Sequence, residues 1–196
     1  DNGHSVIVGR NMDWFEDIKS NIWVLPRGMK RDGLAAKNPL KWTSKHGSVI
    51  ITAYDCGTAD GLNEKGLACH MLYLPETTVA PRDEAVPGLS MSMWLQYYLD
   101  QFATVKEAVE AIKAEPYQLL MAVEPQSKKP TTIHLAMNDP TGDSAVMECI
   151  KGEVKVYHSR EYTVMTNQPT FDKQLENLKQ YRGFGGDKKL PGTHEP

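Results

Sequence analysis

The stretch SMSMWLQYYLDQFATVKEAVEAIKAEP (90–116) decides the fold class. Trp94, Tyr97, Tyr98 and Leu99 recur at helical spacing, which predicts a helix over residues 90–102. A second helix follows at once. Thr104 supplies its cap, Glu107 three residues on completes a capping box, and Val105, Ala108, Val109 and Ile112 make one apolar stripe. Pro116 is expected just beyond its end. On the N-terminal side the chain reads as strands. Residues 4–12, opening HSVIVGR, are the first, and NIWVLP (21–26) and GSVIITAY (47–54) follow, rich in β-branched and aromatic residues. DGLNEKG (60–66) reads as a turn, with Asp60, Gly61, Asn63 and Gly66 supplying its chemistry. It leads into LACHMLYL (67–74), whose nearly continuous apolar character predicts cover on both faces.

Beyond the helices the strands resume. Residues 115–130 read as a polar connection, and TTIHLAM (131–137) alternates, with Ile133, Leu135 and Met137 facing one way. DPTG (139–142) is a turn, and residues 144–150 and 153–158 form a hairpin closed by Lys151-Gly152. A short strand over 162–166 ends at Asn167, and a last helix covers 170–181. Strands, two helices, strands and a helix in that order argue for α+β with antiparallel sheet, since a doubly wound fold would alternate. One domain over residues 1–196 is expected.

Composition excludes several function classes. A net charge of −3 leaves no footprint for nucleic acid or an anionic membrane surface, both of which favour basic patches. No window approaches the roughly 18 consecutive apolar residues of a membrane span. Cys56, Cys69 and Cys149 are widely spaced and the six His form no HExxH-like pattern, so a metal site has poor support. Cys69 and Cys149 stand in apolar runs and read as packing residues. No GxSxG or phosphate-binding glycine loop occurs.

Two places carry charge or amides that ask for partners. In GRNMDW (9–14), Arg10 and Asp13 follow the apolar run Val6-Ile7-Val8. An unpaired buried ion costs several kcal/mol, so this is either a solvated strand end or a site. Residues three apart on a continuing strand point to opposite faces, so both charges meet one ligand only if the chain turns around Asn11-Met12. Asn167 reads either as a cap or turn former, or as an amide donor aimed at an oxyanion.

GRNMDW, NIWVLPRGM (21–29), ADGLNEKGLACHMLYLPE (59–76), VMTNQPTFD (164–172) and LPGT (190–193) stand in the order and spacing of the choloylglycine hydrolase family, which the chain resembles over nearly its whole length. That family groups penicillin V acylases and bile salt hydrolases within the N-terminal-nucleophile hydrolases. The resemblance implies an α+β four-layer αββα sandwich with antiparallel sheets, here truncated at both ends. It also implies hydrolysis of a non-peptide amide by an N-terminal cysteine thiol, with that residue's α-amine as base. An α-amino pKa near about 8 already lies close to working pH. No metal or organic cofactor is implied. The implied partner is a small-molecule acyl amide, with no nucleic acid and no membrane, and the assembly a homo-oligomer, by family resemblance a tetramer.

By motif, Arg10 resembles the arginine beside the thiol, where a cation favours thiolate. Asp13 resembles the aspartate that orients the α-amine, and Asn167 the amide donor to the tetrahedral oxyanion. Tyr73 resembles the position whose backbone N–H completes the oxyanion hole. Tyrosine there is more similar to penicillin V acylases; asparagine is usual in bile salt hydrolases. A bile salt hydrolase is the alternative substrate class, and a non-catalytic acyl-amide-binding homologue the alternative of another kind. The family cysteine is expected a few residues before Asp1, and a second family arginine beyond LPGT. Residue 1 is not Met and no signal segment is read, so the chain is expected to be a fragment or processed product, inactive by itself.

Overall fold

The structure is a computed structural model that describes residues 4–12, 14–114, 117–124 and 127–183. In chain order the elements are β1 (Ile22–Leu25), β2 (Lys30–Asp32), β3 (Lys41–Thr43), β4 (Ser48–Ala53), β5 (Gly57–Asn63), β6 (Ala68–Tyr73) and β7 (Gly88–Ser90). Then come α1 (Met91–Gln101), α2 (Val105–Ala114), β8 (Gln118–Leu120), β9 (Ile133–Asn138), β10 (Ser144–Ile150), β11 (Glu153–His158) and α3 (Phe171–Leu178). Among the described residues, seven strands form one sheet in the order β1-β4-β5-β6-β9-β10-β11, every pair antiparallel. The expected α+β architecture is what the chain adopts.

Helices α1 and α2 cover one face. The α1 cap is Ser90, whose hydroxyl accepts from the Ser92 N–H. The Thr104 hydroxyl accepts from the Glu107 N–H at 3.2 Å, while the Glu107 carboxylate reaches back to the Ala103 N–H at 2.8 Å. Beneath them Ile50, Cys69, Leu135, Met137 and Met147 from alternate sheet positions meet Trp94, Leu95, Leu99 and Val109. Each such side chain contributes roughly 1.5–3 kcal/mol on burial.

Gly61 is a strand residue at the closest approach of α1 to the sheet, not a turn residue. A Cβ there would stand 2.4 Å from Leu99 Cδ1 and 3.0 Å from Ile50 Cγ2. Asp60 likewise lies inside β5, and the reversal between β5 and β6 falls at Glu64-Lys65-Gly66, with Gly66 at φ +88°. Gly61→Ala is expected to destabilise by about 1–3 kcal/mol through overpacking, read as a lower urea midpoint at unchanged slope. An unchanged midpoint would show that Leu99 swings aside freely.

Three further expectations are corrected. Residues 4–12 form no strand, because both sides of β5, β6 and β9 are already occupied and the sheet's open edges lie at β1 and β11. Residues 162–166 form none either. Their backbone groups bond elsewhere: the Tyr162 carbonyl accepts from the Ser144 hydroxyl at 2.6 Å, and the Gln174 amide takes both the N–H and the carbonyl of Thr166 at 3.0 Å. In β6 only Cys69 is fully buried, so cover on both faces is partial. The short strands β2, β3, β7 and β8 had no periodic signal at three residues each. Pro116 and LPGT lie outside the described residues.

The second face of the sheet is covered only in part. Phe171 of α3 packs edge-on against Tyr157 and Tyr162, with ring centroids 5.2 Å and 5.1 Å apart. At the opposite end Ile22, Val24, Val49, Ile51 and Leu62, matched across β1, β4 and β5, stay 40–75% exposed. No helix among the described residues is long and apolar enough to cross a membrane.

Candidate active site

Two cavities meet at the end of β5 and β6. The first, about 160 Å³, is apolar and lined by Trp14, Ile18, Met71, Tyr73, Met91 and Ile133 among others. The second, about 420 Å³, opens on the face away from α1 and is lined by His70, Asn138, Ser144 and the 162–166 segment. Arg10, Asn11, Leu72 and Asn167 line both and form the wall between them.

Arg10 reaches that wall because three acceptors hold it. One Nη forms an ion pair with Asp60 and also donates to the Ala59 carbonyl at 3.3 Å; the other donates to the Met71 carbonyl at 2.5 Å. The side chains of Arg10 and Asp60 are 15% and 16% exposed, so each neutralises a charge the other could not bury alone. The second Asp60 oxygen meets His70 Nδ1 at 2.7 Å.

Trp14 is fixed by its Nε1–H, which donates to the Tyr54 hydroxyl at 3.0 Å, and that hydroxyl donates to Glu16 at 2.5 Å. Burial and the Glu16 carboxylate push the Tyr54 phenol up to about 12, which keeps its proton for this bond. The Trp14 ring then meets Tyr73 edge-on, centroids 5.7 Å apart.

Asn167 sits on a turn pinned at both ends. Gln174 brackets it through Thr166 and donates to the Pro169 carbonyl at 2.6 Å. The first N–H of α3, from Phe171, donates to Glu148 at 2.8 Å. Glu148 in turn meets His134 Nδ1 at 3.1 Å, and both side chains are wholly buried.

Of the residues singled out from sequence, Arg10, Tyr73 and Asn167 come together around the first cavity. Asp13 lies outside the described residues. Asp60 reads from sequence only as a turn residue, and His70, Trp14 and Glu148 are given no role there. A signal for His70 existed, since a reversal centred on Lys65 pairs it with Asp60 across β5 and β6. Burial pushes each of the three thiols up, Cys149 to about 11, with the Asp55 carboxylate adding to the effect at Cys56, so none is held as thiolate. Among the described residues no group of three or more His, Cys, Asp or Glu could hold a metal ion.

Comparison with known proteins places the chain. A family profile described as linear amide C–N hydrolases, choloylglycine hydrolase family, matches residues 1–191. A penicillin V acylase of Pectobacterium atrosepticum is 44% identical over 195 residues, covering 96% of this chain and 52% of its own length. A bile salt hydrolase/transferase of Clostridium perfringens is 32% identical, covering 91% of this chain and 54% of its own. The solved penicillin V acylase of Agrobacterium tumefaciens superposes with a TM-score of 0.84 at 47% identity, over 94% of this chain and 55% of that one. A variant of the conjugated bile acid hydrolase of C. perfringens gives 0.74 at 30% identity, over 95% of this chain and 60% of that one. The chain thus spans about half the length of these relatives, and its sheet with helices on one face is part of the N-terminal-nucleophile hydrolase fold. With its motifs, its fold and this match in agreement, the chain belongs to the choloylglycine hydrolase family of linear amide C–N hydrolases.

Proposed function

We propose that the protein expressed from the whole coding sequence is an amide hydrolase of penicillin V acylase type, using the thiol of an N-terminal cysteine. The observation that carries this reading is the first cavity: apolar, aromatic on one side, with Arg10 and Asn167 in its wall. Its lining is apolar and aromatic, which suits an aryl acyl group. Trp14 and Tyr73, edge to face, suit a phenoxy ring.

In this reading the thiolate, favoured by the Arg10 cation, attacks the amide carbon while the α-amine, oriented by Asp13, accepts the thiol proton. The Asn167 amide and the Tyr73 N–H donate to the oxyanion. The C–N bond breaks as the amine leaves with that proton, and water then cleaves the thioester to release the acid. The 196-residue polypeptide is by this reading inactive, and the family resemblance supports a homo-oligomer.

A bile salt hydrolase is the second reading, favoured by the 32% identity to the C. perfringens enzyme. Comparing kcat/KM for penicillin V and glycocholate on the protein from the whole coding sequence decides between them. Penicillin V is expected to be preferred by at least about 10-fold, roughly 1.4 kcal/mol in transition-state binding. A preference for glycocholate would overturn the acylase assignment. Any residue other than cysteine at the mature N-terminus would overturn the mechanism.

A further inference from the structure

Asp60 and His70 take no part in those bond-breaking steps, yet Asp60 contacts Arg10 at the wall of the site and His70 contacts Asp60. Asp60 lies on the second face of the sheet, in the interior of β5, where an unpaired carboxylate would be costly. It is doubly engaged, by the Arg10 guanidinium on one oxygen and by His70 Nδ1 at 2.7 Å on the other. A carboxylate can only accept here, so Nδ1 carries the proton. The two residues are direct cross-strand partners, which leaves the carboxylate little room to rotate.

The consequence falls on Arg10. A guanidinium is planar, so fixing both Nη groups on Asp60, Ala59 O and Met71 O fixes the direction of the remaining Nε–H. That Nε is buried and has no hydrogen-bond partner among the described residues, in a side chain that lines both cavities. A fixed cation with one donor left over is the form of an arginine built to act on something else in the site. We propose that Asp60 and His70 are positioning residues that act through Arg10, Asp60 setting the plane of the guanidinium and His70 locking the Asp60 carboxylate. This rests on the amide-hydrolase reading above, in which Arg10 favours the thiolate.

The test uses the protein from the whole coding sequence, penicillin V turnover, and urea unfolding of every variant. Asp60→Asn and His70→Ala are expected to lower kcat between about 10- and 100-fold with KM within about 3-fold, because misplaced charge is felt in the transition state rather than in binding. His70→Asn is expected to recover most of the His70→Ala loss, since an asparagine amide donates to Asp60 from nearly the same place as Nδ1. A purely structural ion pair would instead lower the unfolding midpoint and leave kcat per folded molecule intact. That result, a rise in KM alone, or failure of the folded His70→Asn variant to recover, overturns the proposal. Should Asp60→Asn not fold, the two His70 variants decide. Wild-type protein inactive on both penicillin V and glycocholate would overturn the function as well; unaffected variants beside an active wild type overturn only the positioning roles.

Discussion

Asn167→Ala in the protein from the whole coding sequence is expected to lower kcat by about 10²–10³-fold, with KM for the amide little changed. The size follows from where the side chain stands. Its turn is held by Gln174 on the backbone of Thr166 and Pro169 and by Glu148 on Phe171, none of which uses the Asn167 side chain. Truncation therefore removes a donor without releasing the loop that carries it. An amide donor to an oxyanion is worth more as negative charge develops than against the neutral carbonyl, so the loss falls on kcat. Single-turnover acylation of penicillin V isolates the step. A variant within about 3-fold of wild type would remove Asn167 from the oxyanion site.

The second large effect concerns stability. Glu148→Ala is expected to destabilise by about 2–6 kcal/mol, since each buried donor left without an acceptor costs roughly 1–3 kcal/mol. Two donors lose their acceptor together, His134 Nδ1 and the Phe171 N–H, and both residues are within 1% of complete burial. The His134 Nε2 and Glu148 Oε2 atoms already lack hydrogen-bond partners among the described residues, so the pair has no reserve to absorb the loss. Replacing both residues by apolar ones of similar volume, His134→Leu with Glu148→Met, is expected to recover most of the stability, since no buried polar group is then stranded except the Phe171 N–H. Urea unfolding of the single and double variants measures this. A single variant within about 1 kcal/mol of wild type would mean that water reaches the gap. Because Phe171 begins α3 directly after the Asn167 turn, the single variant is also expected to lose kcat.

The sequence made the helices legible because their signals are local. Ser90, Thr104 and Glu107 cap within four residues, and the apolar stripe of α2 needs nothing beyond its own period. The hairpin of β10 and β11 was equally plain, since Lys151 and Gly152 both take positive φ at its turn. Failures came where distant groups decide. The 4–12 segment has a strand composition but no free edge beside the central strands, and no property of Val6 or Ile7 announces that. Asp60-Gly61 carries turn residue types because a close helix and a salt bridge require them, which is a tertiary demand. Motif resemblance singles out Arg10, Tyr73 and Asn167, which line one cavity; it does not single out His70 and Glu148, because what marks them is what they touch across the sheet.

The wall of Arg10, Asn11, Leu72 and Asn167 has a consequence for anyone reshaping this protein. Each of these residues lines both the apolar cavity and the polar one. A substitution made to enlarge one chamber shifts a boundary that the other chamber shares. Paired changes on opposite sides will then show coupling on the order of 0.5–3 kcal/mol in a double-mutant cycle, although the altered residues never touch. Where two chambers share a wall, the order in which substitutions accumulate will decide which of them are tolerated.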